Sequence, residues 1–291
     1  TADTLEGSLY RNIREILSDK INQASIRADY PHPDVVRRNT GYALDILLNS
    51  EPFSDTLNRD GKTDLFNFCK ILAGSEGTLA FMTELKLNLV PLPPPEMALI
   101  CVHLKSVLEA VRANLLALEF KPDAIELMDK TILDCTRENI AQRKNRFFIK
   151  EDPGAILIIE FARETKEEIL VIKDRLEKKF RDHNLGYHFP IIFGNEINKV
   201  WALRKAGLGV LSNIPGDAKP VAFMEDASVN VTNLENYLKD LEEVFAELNL
   251  SSVYYAHISV GEIHIRPVLN LKDPVDVKKF RILAEKTAKL V

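Results

Sequence analysis

The sequence is poor in the features that mark several common classes of protein. Its 291 residues include three scattered cysteines, Cys69, Cys101 and Cys135, and no Cys-x-x-Cys pair. This argues against a disulfide scaffold and against an iron–sulfur cluster within this stretch. We expect all three cysteines to be small, buried hydrophobic residues, in a protein of a reducing compartment. The 12 glycines form neither Gly-x-Gly-x-x-Gly nor Gly-x4-Gly-Lys, so both familiar phosphate-binding loops are missing.

Long apolar runs and an excess of positive charge are also missing. No run approaches the ~20 apolar residues of a membrane-spanning helix, and a net charge of -5 does not suggest a nucleic-acid-binding surface. We therefore expect no transmembrane segment and no nucleic-acid partner. The start, TADTLEGSLY, has neither a signal-peptide pattern nor an initiator Met. We interpret the chain as a cytoplasmic piece of a longer protein, and leave peripheral membrane association open.

Hydrophobic periodicity divides the chain at the proline-rich segment VPLPPPE, Val90 to Glu96. Before it, the spacing predicts an amphipathic helix from Leu9 to Ile21, short helices from Leu44 to Leu48 and from Leu65 to Leu72, and an alternating strand from Leu79 to Val90. After it, strands alternate with helices, which predicts an α+β fold with a sheet covered by helices on one face. The predicted strands of this second part are 97–104, 155–161, 189–193, 221–229, 253–257 and 263–268. The predicted helices are 107–118, 169–180, 200–208 and 234–245.

Two histidines lie in the segment YYAHISVGEIHIRP: His257 ends one predicted strand of a hairpin, and His264 lies in the next. We expect a tight turn through Val260 and Gly261 to place His257 and His264 on one face. Two imidazoles there can share a metal ion or act on one substrate oxygen. Glu262 can be a third oxygen ligand if no bulge intervenes. The alternative is two unrelated strand histidines, and we interpret the other four as surface or packing residues.

A second candidate site residue is Arg204, which follows the only tryptophan, Trp201, by three positions on one helix face. A guanidinium fork binds both oxygens of a carboxylate, so Arg204 is a candidate substrate clamp. The alternative is a solvated helix arginine. Glu225 and Asp226 are consecutive in a predicted strand, so we expect their side chains to point to opposite faces, with at most one lining a given site.

The ordered set RRNTGYALD, GSEGTL, Trp-x-x-Arg and His-x6-His resembles the FAD-linked oxidases and dehydrogenases of the vanillyl-alcohol-oxidase type. The resemblance is to the branch that acts on D-lactate, glycolate and D-2-hydroxyglutarate, and covers nearly the whole chain. It implies that residues 1–94 are the second half of a PCMH-type FAD-binding domain. Residues 95–291 would then be a cap domain, truncated at its C-terminal end, with a mainly antiparallel sheet covered by helices.

The resemblance also implies an activity: oxidation of a small D-2-hydroxy carboxylate to the 2-oxo acid, with electrons passed to a protein or quinone rather than to oxygen. Arg204 would bind the substrate carboxylate, and His257 and His264 would hold a divalent metal such as zinc or act on the hydroxyl directly. The cap would lay the substrate over the flavin. The FAD itself would contact two short segments, formed by Asn39, Thr40, Gly41 and Tyr42 and by Gly74, Ser75, Glu76 and Gly77.

Two departures from the family pattern bear on these expectations. The family reads His-x-Gly-[Asp/Ala]-Gly-Asn-x-His, whereas this chain has Ser259, Val260 and Glu262 at the third, fourth and sixth positions. The family's pyrophosphate loop and its Gly-Glu-His-Gly segment, which supplies a third metal ligand, would lie outside residues 1–291. We therefore expect an inactive internal fragment with little or no FAD. The segment RRNTGYALD is most similar to large members of the family that carry iron–sulfur domains, so we expect an iron–sulfur cluster in another part of the parent. The alternatives are a non-catalytic binding module and a flavin oxidase of another alcohol.

Overall fold

The computed structural model describes residues 3–38, 41–57 and 61–291. Its contacts divide the chain into two compact units, Thr1–Val90 and Pro91–Val291, which we call the N-terminal unit and the C-terminal unit. The division falls inside VPLPPPE, where consecutive prolines remove the N–H donors that a strand ladder needs. No helix in the described ranges has both the length and the apolar character needed to cross a bilayer.

The described part of the N-terminal unit contains two longer helices and two single-turn ones. The helix predicted from Leu9 to Ile21 is in fact two helices, because Asp19 is extended and its carboxylate accepts the N–H groups of Ile21 and Asn22 as the cap of the second helix. A small apolar core is made by Leu17, Ile26, Leu47, Leu48 and Ile71. The helices are α1 Leu5–Ser18, α2 Lys20–Asp29, α3 Leu44–Leu48, as predicted, and α4 Cys69–Leu72.

The alternating segment from Leu79 to Val90 is not a strand, contrary to the prediction: no residue of it pairs with another described residue as a strand. Leu85, Leu87 and Leu89 are 65%, 75% and 96% exposed. Alternation specifies the two faces of a strand, but a strand also needs a hydrogen-bonded neighbour. Pairing depends on residues far apart in the chain, so the alternating pattern alone is not sufficient to predict a strand here.

The helix predicted from Leu65 to Leu72 is also shorter than expected. It begins only at Cys69, whose N–H is bound by the Asn67 side chain at 2.9 Å, a local contact that competes with helical hydrogen bonding. Cys69 is exposed, so the expectation of three buried cysteines was wrong for this residue and right for Cys101.

The C-terminal unit, described over its whole length, is an antiparallel sheet packed with helices, and this confirms the predicted α+β class. The strands are β1 Glu96–Leu104, β2 Ala124–Asp129, β3 Ala155–Arg163, β4 Ile191–Phe193, β5 Lys219–Pro220, β6 Met224–Ser228, β7 Ser252–His257 and β8 Glu262–Leu269. Their order is β4–β1–β3–β2–β7–β8–β5, and β6 also pairs with β8. The helices are α5 Val107–Leu118, α6 Lys130–Glu138, α7 Ile140–Arg143, α8 Lys166–Asp182, α9 Glu196–Leu211, α10 Leu234–Leu248 and α11 Pro274–Leu290.

Helices cover both faces of this sheet, so the expectation of a single covered face was wrong. On one face, Ile100 of β1 shares a core with Leu176 of α8 and with residues of α5 and α10. On the other face, Leu99 of β1 shares a core with Val200 and Leu203 of α9 and with residues of α6. The cause is visible in β1 and β3, which are nearly continuous apolar runs and therefore need cover on both sides.

The sequence pattern missed β2, β5 and the helices α6, α7 and α11, and the strand predicted at 221–229 corresponds to β6 alone. The pairing of β6 with β8 is irregular between Met224 and Ala227. Asp226, within the irregularity, has φ +60°, a left-handed conformation typical of a bulge. The bulge changes which side chains face the candidate site.

His103 on β1 is a buried structural histidine. Its Nε2 accepts the backbone N–H of Lys150 at 3.1 Å, so Nδ1 carries the proton and donates to the carbonyl of Cys101 at 3.0 Å. The pKa of His103 is lowered to about 4, chiefly by burial; the hydrogen bond to Cys101 opposes this shift, and the neighbouring His188 adds to it. The ring is therefore neutral in the folded protein above that pH.

This burial predicts a pH dependence of stability. Between about pH 6.5 and about pH 4, His103 takes up a proton in the unfolded chain but not in the folded one, so its contribution to the free energy of unfolding falls as the pH falls. The full change is about 3 kcal/mol. We expect urea unfolding at pH 7 and pH 4.5 to show a smaller loss for His103→Gln than for the unchanged chain. Equal losses in the two proteins would contradict the prediction.

Candidate functional site

The hairpin of β7 and β8 places four polar or aromatic side chains on one face of the sheet. His257 pairs with Glu262 and Tyr255 pairs with His264 in the antiparallel register. Paired residues, and residues two apart along a strand, point to the same side. The predicted common face of His257 and His264 is thereby confirmed, and no bulge displaces Glu262 from it.

Gly261 makes the turn between the two strands possible. The chain leaves β7 through a 3-10 turn, Ile258–Val260, and then reaches Gly261, whose φ is +78°. A Cβ at this position would lie 1.8 Å from the carbonyl oxygen of Val229. Only glycine combines this backbone conformation with so close an approach.

His257, Glu262 and His264 form a candidate metal-binding group. One ligand atom from each of them lies within 4.8 Å of the other two, and the two ring centroids are 5.3 Å apart. His264 Nδ1 is buried and has no hydrogen-bond partner among the described residues. Two imidazoles and a carboxylate are ordinary zinc ligands at about 2.0–2.2 Å, so small side-chain movements would bring all three to one ion. The donor set therefore fits a divalent cation.

Glu126 on β2 connects His257 to Arg204. Its Oε1 lies 2.8 Å from His257 Nδ1, and its Oε2 accepts a hydrogen bond from an Arg204 terminal nitrogen at 2.8 Å. The Arg204 and Glu126 side chains are 12% and 13% exposed, so the pair is shielded from solvent. Arg204 is therefore not the solvated helix arginine of the alternative interpretation. Its Nε is buried with no partner in the described part of the chain, which leaves a donor for an incoming acceptor.

Helix α9 meets the sheet through both residues of the Trp-x-x-Arg motif. Trp201 hydrogen-bonds Glu160 of β3, one turn before Arg204 reaches Glu126 of β2. Ala124 of β2 is the direct partner of Glu160, so the two carboxylates lie on adjacent strands. Spacing of three residues places Trp201 and Arg204 on the same side of the helix, which is the side that faces the sheet.

Tyr255 lies between these groups and a second arginine. Its ring stacks on His264 with centroids 4.6 Å apart, and the guanidinium carbons of Arg204 and Arg266 lie 5.0 and 5.5 Å from its centroid. Glu225 accepts hydrogen bonds from the Tyr255 hydroxyl at 2.7 Å and from Arg266 Nε at 2.6 Å. Burial, together with the neighbouring Glu225, raises the pKa of Tyr255 to about 12, so its hydroxyl stays a donor at neutral pH.

The expectation that Glu225 and Asp226 would point to opposite faces was wrong. Glu225 binds Tyr255, and Asp226 Oδ1 lies 3.6 Å from Nδ1 of His264, which stacks on that same tyrosine. The bulge in β6 explains this, because the left-handed backbone at Asp226 interrupts the alternation that a regular strand imposes. Both carboxylates thus border one cluster.

The two histidines have opposite pKa shifts. The hydrogen bond to Glu126 raises the pKa of His257, and this outweighs the opposing effect of burial. Burial lowers the pKa of His264, and the positive charge of a protonated His257 would lower it further, against the attraction of Glu225 and Asp226. The lowered pKa keeps the ring of His264 neutral near neutral pH, so it can accept a proton or a metal.

The two segments predicted to contact FAD lie together in the N-terminal unit. A Cβ on Gly74 would be 3.8 Å from the Gly41 carbonyl oxygen, and the Tyr42 hydroxyl is 2.9 Å from Thr78 Oγ1. Positive φ values at Gly41, Glu76 and Gly77 keep both turns tight. Ser75 is buried, while Gly74, Glu76 and Gly77 are exposed. Asn39 and Thr40 lie outside the described residues, and a role in FAD binding stays a prediction for all eight.

Sequence reasoning missed Glu126, Tyr255 and Arg266. Arg266 is two positions after His264 in the same strand, so alternation from the histidine could have found it. Glu126 is the only charged residue in the otherwise apolar AIELM of β2, and a lone carboxylate in such a run is a signal of a buried partner. Its actual partners are 78 and 131 residues away, and no local pattern shows them.

The C-terminal unit matches a known protein family. Residues 93–291 match the family described as FAD linked oxidases, C-terminal domain. The match covers the C-terminal unit from VPLPPPE onward, including β1 to β8 and the cluster around His257 and His264. The chain belongs to this family.

Several curated proteins are similar to this chain over most of its length. A D-2-hydroxyglutarate dehydrogenase of Haemophilus influenzae is 30% identical over 97% of this chain and 27% of its own length. The enzyme of the same name from Pseudomonas putida is 27% identical over 98% of this chain and 27% of its length. Among solved structures, an alkyldihydroxyacetonephosphate synthase has a TM-score of 0.49 at 15% identity over 79% of this chain and 46% of that one. The chain spans about a quarter of the length of these curated dehydrogenases.

Proposed function

We propose that this chain is part of an FAD-dependent dehydrogenase that oxidises a small D-2-hydroxy carboxylate to the 2-oxo acid. The observation that carries the proposal is the cluster in the C-terminal unit, where a His–Glu–His group lies beside an arginine with a buried, unused donor. The names of the relatives point to the same class of substrate. We place the protein in the cytoplasm and its electron acceptor, a protein or a quinone, in solution or at a membrane surface.

In this proposal the residues of the chain bind the substrate and remove its hydroxyl proton. Arg204 pairs with the carboxylate and so fixes the orientation of C2. His264 or His257 takes the hydroxyl proton, or both of them together with Glu262 hold a divalent ion next to the hydroxyl oxygen. Bound FAD supplies a hydride acceptor. We assign its contacts in this chain to Gly41, Tyr42 and the segment from Gly74 to Gly77.

Flavin reduction in the full-length protein tests this function. Purified anaerobically, the protein should show flavin absorbance that is bleached by D-2-hydroxyglutarate, D-lactate or glycolate, and not by the L-acids or by alcohols that lack a carboxylate. Arg204→Met should raise KM for the acid because it removes the carboxylate partner. Bleaching by a simple alcohol, equal in the Arg204→Met variant, would favour a flavin oxidase of other alcohols instead.

A non-catalytic binding module is the second candidate, and one observation favours it: Arg204 already pairs with an internal carboxylate, Glu126. A substrate carboxylate must then share the guanidinium rather than find it vacant. The same flavin-reduction experiment separates the two functions. A binding module would bind the 2-hydroxy acid, but the acid would not bleach a flavin.

A further inference from the structure

The carboxylate of Glu126 has an unusual position, because its two oxygens form hydrogen bonds with His257 and with Arg204. Ala256 of β7 pairs with Leu127 and Tyr255 with Met128, so the next position of this register sets His257 beside Glu126. Strand pairing therefore brings the carboxylate to the ring, and α9 brings Arg204 to the other oxygen. The sheet register therefore sets the two residues side by side, and the Glu126 side chain is only 13% exposed.

The contact also determines the tautomer of His257. An ionised carboxylate can only accept hydrogen bonds, so the 2.8 Å contact requires the proton on Nδ1. In the neutral ring Nε2 is then the free lone pair. A histidine that binds a metal or takes a substrate proton through one nitrogen is commonly fixed in this way by a carboxylate on the other nitrogen.

The chain contains a matched comparison for this arrangement in Glu160. It lies on the neighbouring strand β3, it is half-buried, and it binds Trp201 of the same helix α9 that carries Arg204. Glu160 therefore contributes a carboxylate to the same helix–sheet interface, but its partner is an indole and not His257. Removing Glu160 therefore affects only the attachment of α9 to the sheet, whereas removing Glu126 also affects the orientation of His257.

We propose that Glu126 is a positioning residue: it holds His257 in the Nδ1–H tautomer with Nε2 available to the cluster, and it holds Arg204 beside that ring. The catalytic meaning of this role rests on the proposed function, whereas the tautomer and the metal affinity can be measured on the chain itself. Glu126 touches neither substrate nor metal in this proposal, and it acts through His257 and Arg204.

Nitrogen NMR of the imidazole rings and zinc titration test the proposal. With ¹⁵N-histidine in the 291-residue chain, at an alkaline pH where the rings are neutral, His257 should be protonated on Nδ1. In Glu126→Ala the proton should move to Nε2, at least in part. Calorimetric titration with Zn²⁺ alone should show about ten- to hundredfold weaker binding in Glu126→Ala. Glu160→Ala should change neither readout.

The outcomes separate this inference from the proposed function. An Nδ1–H signal that persists in Glu126→Ala would overturn the positioning role, and so would an equal change in Glu160→Ala. If the unchanged 291-residue chain binds no zinc, the tautomer by itself decides the role of Glu126, because the resemblance places a third metal ligand outside residues 1–291. Glu126→Asp should restore the Nδ1–H tautomer in part, because a carboxylate is kept at a slightly greater distance. Failure of any such recovery would also count against the proposal.

Discussion

Alanine at both His257 and His264 is expected to lower kcat/KM of the full-length protein for its 2-hydroxy acid by about 10⁴-fold or more. The two rings are the candidate acceptors of the hydroxyl proton, and together with Glu262 they are the candidate metal ligands. Removal of a general base costs about 10²–10⁴-fold, and loss of a metal site would add to it. Flavin reduction followed in a single turnover would show the loss in the chemical step.

The same double variant should change the stability of the 291-residue chain only modestly. His264 stacks on Tyr255 and His257 binds Glu126, but neither ring belongs to the apolar core, so we expect a loss of about 1–2 kcal/mol in the free energy of unfolding. The matched control removes the two exposed histidines, His32 and His183, and should leave both activity and stability unchanged. Undiminished turnover in the His257 and His264 variant would refute a catalytic role for the pair.

Alanine at Gly261 is expected to be the most destabilising single change in the hairpin, with a loss of about 4 kcal/mol or more in the free energy of unfolding. A left-handed backbone costs a residue with a Cβ about 1 kcal/mol or more. The much larger part comes from the overlap, because the new Cβ would lie 1.8 Å from the carbonyl oxygen of Val229, a backbone atom that cannot turn away. Urea unfolding of the chain measures the effect. Zinc affinity should fall with it, since the turn sets the separation of His257 and His264.

Alanine substitutions at two other glycines measure separately the cost of the backbone conformation and the cost of the steric overlap. Gly194 has φ +62° with nothing within 4 Å of an added Cβ, so Gly194→Ala should show the backbone cost by itself, about 1 kcal/mol. Gly154 has an ordinary φ, but a Cβ there would lie 2.0 Å from the Lys105 carbonyl oxygen, so Gly154→Ala should show the overlap by itself. A Gly261→Ala chain no less stable than Gly194→Ala would mean that the turn adjusts without loss.

The parts of the fold that the sequence predicts well are those with a strong local period. The helix from Val107 to Leu118 and the strands around Cys101, Ile158 and Tyr255 were located within a few residues, because apolar spacing and length distinguish them. Elements with a weak or interrupted hydrophobic period were not predicted. The strand β2 is short and contains Glu126, and the helix α11 has a mixed polar and apolar sequence without a clear face.

The candidate site shows the same division. The sequence by itself determined the hairpin, because the two histidines lie seven residues apart around a glycine, and strand alternation then places their rings on one face. It also determined that Trp201 and Arg204 share one side of a helix. Only the tertiary structure decided that Glu126 meets both His257 and Arg204, that a bulge turns Asp226 toward His264, and that the segment from Leu79 to Val90 remains unpaired within the described residues. The physical reason is that periodicity records which side of an element a residue occupies, whereas strand order, bulges and pairing depend on contacts between residues far apart in the chain.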